Sequence, residues 1–148
     1  MVIPKPLCRC RVCQEARKKG VPYTRAGPAA FLHDINLLID TPAEVVSLLN
    51  RSPIRRVDYL TFTHLDPDHI EGFRVVEQIA LDFRSWRAYP EKQICLLLPE
   101  QLSVREIRSQ YGPVMDFYQE SGFLRLMIFQ DKVQLRDVDI TAIPVDRG

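Results

Sequence analysis

Residues 63 to 69 read THLDPDH, which places two of the chain's three histidines and two aspartates within six residues. Imidazole nitrogens and carboxylate oxygens in one cluster suit zinc, iron or manganese. His64 and Asp66 are two apart and so share one side of an extended segment, while Asp68 and His69 follow on the turn. One aspartate alone would read as a helix cap with histidines covering it. Four candidate ligands at the end of a strand-like run point instead to a metal site. A second cluster, Cys8, Cys10 and Cys13, forms C-x-C-x-x-C. Three thiolates on a short segment suit tetrahedral zinc, with free thiols as the alternative. His33 or Cys95 are candidates for a fourth ligand, although Cys95 lies inside ICLLL and reads as core.

The elements that must position these groups follow from the apolar runs. Residues 1–30 are basic, Pro/Gly-dotted and cysteine-bearing, and read as an irregular arm; residues 31–148 read as the folded domain. INLLID (35–40), VDYLTF (57–62), QICLLL (93–98), FLRLMIF (123–129) and VDITAIP (138–144) read as strands, with a weaker one over 132–135. Thr41, Pro42 and Glu44 predict a capping box opening a helix to about Asn50. Phe73, Val76, Ala80 and Phe83 predict a helix after the HLDPDH turn. Ser103 and Glu106 predict a second capping box, with Gly112-Pro113 ending that helix and a short one following over 114–120. The alternation of strand and helix makes an α/β layered domain.

With 148 residues and a net charge of +1, composition offers no electrostatic reason for nucleic acid or membrane as partner. The N-terminus lacks the apolar core of a signal peptide, so a cytoplasmic, reducing setting with unpaired cysteines is expected. Arg51, Arg55 and Arg56 form a basic cluster that reads as a solvated loop face, and Trp86 and Tyr89 read as packing or a pocket wall. A glycine-rich phosphate loop and a serine nucleophile elbow are both missing from the sequence.

HLDPDH resembles the HxHxDH signature of the metallo-β-lactamase superfamily. CRCRVC, LLIDTP, THLDPDHIEGF and PVDRG also follow the order seen in the phosphoribosyl cyclic-phosphate phosphodiesterases of phosphonate breakdown and their relatives. The resemblance implies an αββα sandwich of which this chain is the N-terminal portion, since a family domain continues for about another hundred residues. It implies that His64 and Asp66 serve one divalent metal and Asp68 and His69 a second, the metals being zinc, manganese or iron. Asp68 would also hold the nucleophilic water, and Asp40 would brace the ligand loop. Cys8, Cys10 and Cys13 would hold a structural zinc. The implied reaction is hydrolysis of a small phosphate ester, most directly a phosphodiester.

Two positions depart from the family pattern. Asp66 stands where the second histidine of the signature belongs; a carboxylate there, as in the flavodiiron branch with its glutamate, tilts the site toward iron or manganese. Arg147 stands where a later histidine ligand belongs, and arginine stays protonated. Asp146 is the substitute ligand within reach if the loop shifts. Two expectations follow. In one, the remaining ligands come from a further segment or a second polypeptide. In the other, Asp66 and Arg147 pair as ions where a metal once sat, and the protein binds a partner without catalysis. Either way, a half-sandwich exposes sheet edges or apolar surface, so a homo-oligomer or a second chain completing the fold is expected.

Overall fold

The computed structural model describes residues 2–100 and 104–145. Its centre is a five-stranded sheet built from β1 (Ala30–Leu32), β2 (Leu37–Ile39), β3 (Tyr59–Thr61), β6 (Ile94–Pro99) and β7 (Leu124–Phe129), paired in that spatial order. β1 is antiparallel to β2, and the other pairings are parallel. The register stacks Leu38 beside Leu60, Leu60 beside Leu96 and Leu96 beside Leu126. All six residues of β6 are buried, as expected for a parallel strand covered on both faces.

Side chains alternate across the sheet, so neighbouring residues enter different cores. Leu38, Leu60, Ile94, Leu96 and Leu98 meet Phe73, Val76, Ile107, Met115 and Tyr118 on the helical side. Leu37, Cys95 and Leu97 meet Ile35 and Leu135 on the other side. There the antiparallel hairpin of β8 (Lys132–Leu135) and β9 (Val138–Thr141) lies against the sheet through Val133, Val138 and Ile140. Each fully buried Leu, Ile or Phe contributes about 1.5–3 kcal/mol of hydrophobic stabilisation.

Helices α2 (Val45–Arg51), α3 (Pro67–Ile70), α4 (Val75–Ala80) and α5 (Val104–Glu120) join the parallel strands, with a 3-10 turn at Glu71–Arg74 linking α3 to α4. No helix among the described residues is long and apolar enough to cross a membrane.

Several expectations need correction. Residues 1–30 are not irregular throughout: α1 spans Arg11–Lys19, because Cys13 and Ala16 turn inward one helical turn apart. Gly20, in the left-handed region at φ 66°, ends it with its N–H donating to Ala16. The first capping box is absent. α2 begins at Val45, Glu44 makes no capping bond, and Thr41 is fully buried with its amide donating to His69 at 2.6 Å. Tertiary contact with α3 claims Thr41 before the helix can. The helix after the turn ends at Ala80 rather than reaching Phe83. The chain there folds into a hairpin of β4 (Leu81–Asp82) and β5 (Arg87–Ala88), since Asp82 gathers the Arg84 amide, the Ser85 hydroxyl and the Tyr89 hydroxyl within 3.0 Å. Phe83 and Trp86 stand in solvent at its tip, edge to face. Gly112-Pro113 does not end α5: Ile107, Gly112, Met115 and Tyr118 keep one buried face running through the pair, and packing overrides the local breakers. The last strand ends at Thr141, short of Pro144. Ser103, Asp146 and Arg147 lie outside the described residues.

Candidate metal centre

The HLDPDH turn leaves the end of β3 beside the end of β2, so the parallel pairing of these two strands sets Asp40 against Thr63 and His69. Asp40 is buried and sits in the left-handed region at φ 64°, a conformation that aspartate tolerates better than most residues. That bend brings its carboxylate over the turn. One oxygen accepts the Thr63 amide at 2.7 Å; the other accepts the Thr63 hydroxyl at 2.7 Å and faces His69 Nδ1 at 2.8 Å. Every bond of the Asp40 carboxylate therefore goes to the turn that carries the candidate ligands, while its amide donates to Thr61 at 2.9 Å. This is the arrangement by which a carboxylate orients a ligating imidazole and leaves its Nε2 outward.

His64 and His69 lie ring against ring, with centroids 3.7 Å apart. His64 Nε2 is 3.3 Å from an Asp66 carboxylate oxygen. Asp66 occupies the N-cap position of α3 in extended backbone, yet its side chain makes no capping bond. Pro67 at the first helical position starts the helix instead. Asp68, in that first turn, lines a cavity of about 130 Å³ with Glu44, Glu71, Pro42, Gly27 and Val2. The structure thus brings His64, Asp66 and His69 along one ledge and places Asp68 beside other carboxylates. It does not gather the four into one compact cage: among the described residues, three donors all within 4.8 Å of one another occur only at Cys8, Cys10 and Cys13.

The cysteine cluster fits a zinc ion in both donor type and spacing. The Cys13 amide, then the thiols of Cys8 and Cys13, pull the Cys10 thiol down to about 7. The Lys5 amide pulls on Cys13, whose sulfur it meets at 3.4 Å, but burial and the two neighbouring sulfurs outweigh it and push that thiol up. No fourth His, Cys, Asp or Glu among the described residues joins them. His33 packs on the edge of Phe31, and Cys95 is buried in β6, where burial pushes its thiol up.

Sequence reasoning missed Thr63. Its hydroxyl lies within hydrogen-bond distance of Asp40, His64 Nδ1 and His69 Nδ1. A hydroxyl residue directly after a buried strand and directly before the first histidine was the available signal. The basic cluster is engaged in its own loop: Arg56 pairs with Asp58, and Arg55 binds the carbonyls of Ser52 and Ile54. Trp86 is exposed and packs against Phe83, and Tyr89 donates its hydroxyl to Asp82.

No family model matches the chain, and no curated protein sequence matches it significantly. Solved structures do. A new diphosphatase from the PhnP family superposes with a TM-score of 0.72 at 20% identity, over 98% of this chain and 52% of that one. Zn²⁺-bound PqqB from Methylobacterium extorquens superposes with a TM-score of 0.64 at 15% identity, over 97% of this chain and 52% of that one. The chain thus spans about half the length of the structures it matches. With its parallel sheet, helical layer and strand-end histidines, it has the metallo-β-lactamase fold over that half.

Proposed function

We propose that the protein is a metal-dependent hydrolase of phosphate esters, with phosphodiesters as the first substrate class, acting in the cytoplasm. The observation that carries this is the Asp40 carboxylate, buried at the end of β2 and spent entirely on the turn that holds His64 and His69. A buried carboxylate clamping an imidazole serves little purpose in a plain helix cap, but it is what a ligand histidine needs. His64 and Asp66 would hold one divalent ion, and Asp68 and His69, from the first turn of α3, would hold a second. A bound ion of this kind supplies a deprotonated water at neutral pH and neutralises charge on phosphate oxygens. The diphosphatase likeness makes a diphosphate the competing substrate. Cys8, Cys10 and Cys13 would hold a separate structural zinc that ties α1 to the preceding loop. Completion of the site calls for further donors, from another segment or a second chain.

Metal analysis of the purified protein tests this directly. About one zinc that is lost with Cys8→Ser is expected, with additional zinc, iron or manganese lost with His64→Ala. Hydrolysis of bis(p-nitrophenyl) phosphate should fall by at least about 10²-fold in His64→Ala, the scale of losing a ligand and its water. Zinc on the cysteines alone, with no metal sensitive to His64, would instead favour a binding protein.

A further inference from the structure

We infer that Thr63 is a positioning residue that relays the Asp40 carboxylate to His64, so that one carboxylate fixes the tautomer of both histidines. The inference rests on the reading of the turn as a metal site, and it follows from counting donors. The carboxylate can only accept. Its outer oxygen takes the Thr63 hydroxyl at 2.7 Å and faces His69 Nδ1 at 2.8 Å. His69 must therefore donate from Nδ1. The threonine hydroxyl has one proton, and the carboxylate is the stronger acceptor for it than a neutral ring nitrogen. With that proton committed, the hydroxyl oxygen can only accept: His69 Nδ1, 3.2 Å away, already gives its proton to the nearer Asp40 oxygen, so the acceptor serves His64 Nδ1 at 3.0 Å. His64 then also carries its proton on Nδ1. Both Nε2 atoms are left with free lone pairs on the outer side, ready for a cation.

A competing arrangement is visible in the same geometry. If the hydroxyl turned to His64, that ring would carry its proton on Nε2 and donate it to Asp66 at 3.3 Å. Asp66 is more than half exposed and water competes for it, whereas Asp40 is almost wholly buried, so the inner acceptor wins the hydroxyl proton.

Long-range ¹⁵N–¹H correlation on the metal-free protein, near pH 8.5 and above the ordinary imidazole range, reads each ring nitrogen directly, with His33 as the internal reference. Wild type should show protonated Nδ1 at both His64 and His69. In Thr63→Val, His64 should revert to the Nε2–H form favoured in water while His69 keeps Nδ1–H through Asp40. Thr63→Ser should restore His64. A zinc titration followed on the same resonances should weaken at least about tenfold in Thr63→Val and recover in Thr63→Ser. Wild-type His64 protonated at Nε2, or a His64 tautomer unmoved by Thr63→Val, would overturn the relay. Wild-type rings unmoved by zinc would overturn the metal-site reading instead, and the tautomers would still decide the relay.

Discussion

At the scale of single residues, Asp58 shows how charge is used away from the histidine turn. It receives the Asn36 amide at 2.8 Å, Arg136 at 3.1 Å and a close contact from Arg56. Partial burial pushes its carboxyl up, but the Asn36 hydrogen bond and the two guanidiniums outweigh that and hold it below the ordinary carboxylate value. A carboxyl depressed in the folded state contributes stability that is present above its unfolded pKa and lost as pH falls through the folded one. Asp58→Asn should therefore cost about 1–2 kcal/mol at neutral pH and flatten the acid side of the stability curve below about pH 4. Urea titrations of both proteins across that range check it, and parallel curves would refute it. The candidate ligands were legible at this scale because His and Asp advertise metal chemistry by type and spacing. Thr63 was not, because a threonine's role depends on which carboxylate folds beside it, and Asp40 lies well upstream in the chain.

At the scale of elements, the site depends on how closely α3 and the 3-10 turn approach the end of β2. The Gly72 amide donates to Thr41 at 2.7 Å, and a Cβ on Gly72 would sit 2.2 Å from the Pro42 carbonyl oxygen and 2.9 Å from that of Thr41. Both obstacles are backbone, so Gly72→Ala should cost about 2–3 kcal/mol and loosen the His69 clamp. Gly112 makes the contrast: apart from its chain neighbours and the adjoining helical backbone, a Cβ there meets nothing closer than Arg108 Cβ at 4.0 Å. Gly112→Ala should change stability by less than about 1 kcal/mol, since easier ordering in a helix is offset by the contact of a Cβ with the Pro113 ring. Thermal melts of the pair decide both. The same contacts explain which elements were legible. β6 announced itself as an unbroken apolar run, buried on both faces. The capping box at Thr41 and the break at Gly112-Pro113 misled because both are local rules, and here long-range packing outweighs each: Thr41 is claimed by His69 and Gly72, and α5 by its continuous buried face.

At the scale of the molecule, the sheet is covered unequally. Helices cover one face, while among the described residues the other carries the β8–β9 hairpin and leaves Ile39, Met127, Phe129 and Ile140 partly open. At the edge of the helical side, Ile128 beside Leu98 is half exposed on the outermost parallel strand, and Ile143 and Val145 are more so beyond the hairpin. An apolar, edge-bearing surface of this kind is expected to associate. Sedimentation of this 148-residue chain should shift with concentration in the micromolar range, and a clean monomer would count against it. The layered α/β plan was legible because strand and helix alternate along the chain. Which face stayed open was not, because that depends on where a short hairpin of modest hydrophobicity comes to rest. The clamp on His69 has a last consequence. Its carboxylate comes from 29 residues upstream and from a neighbouring strand. The seven residues THLDPDH are therefore not a portable motif: copied into a peptide, or grafted onto another loop, they would carry the donors without the group that orients them. The unit that could be transplanted is a pair of adjacent parallel strand ends.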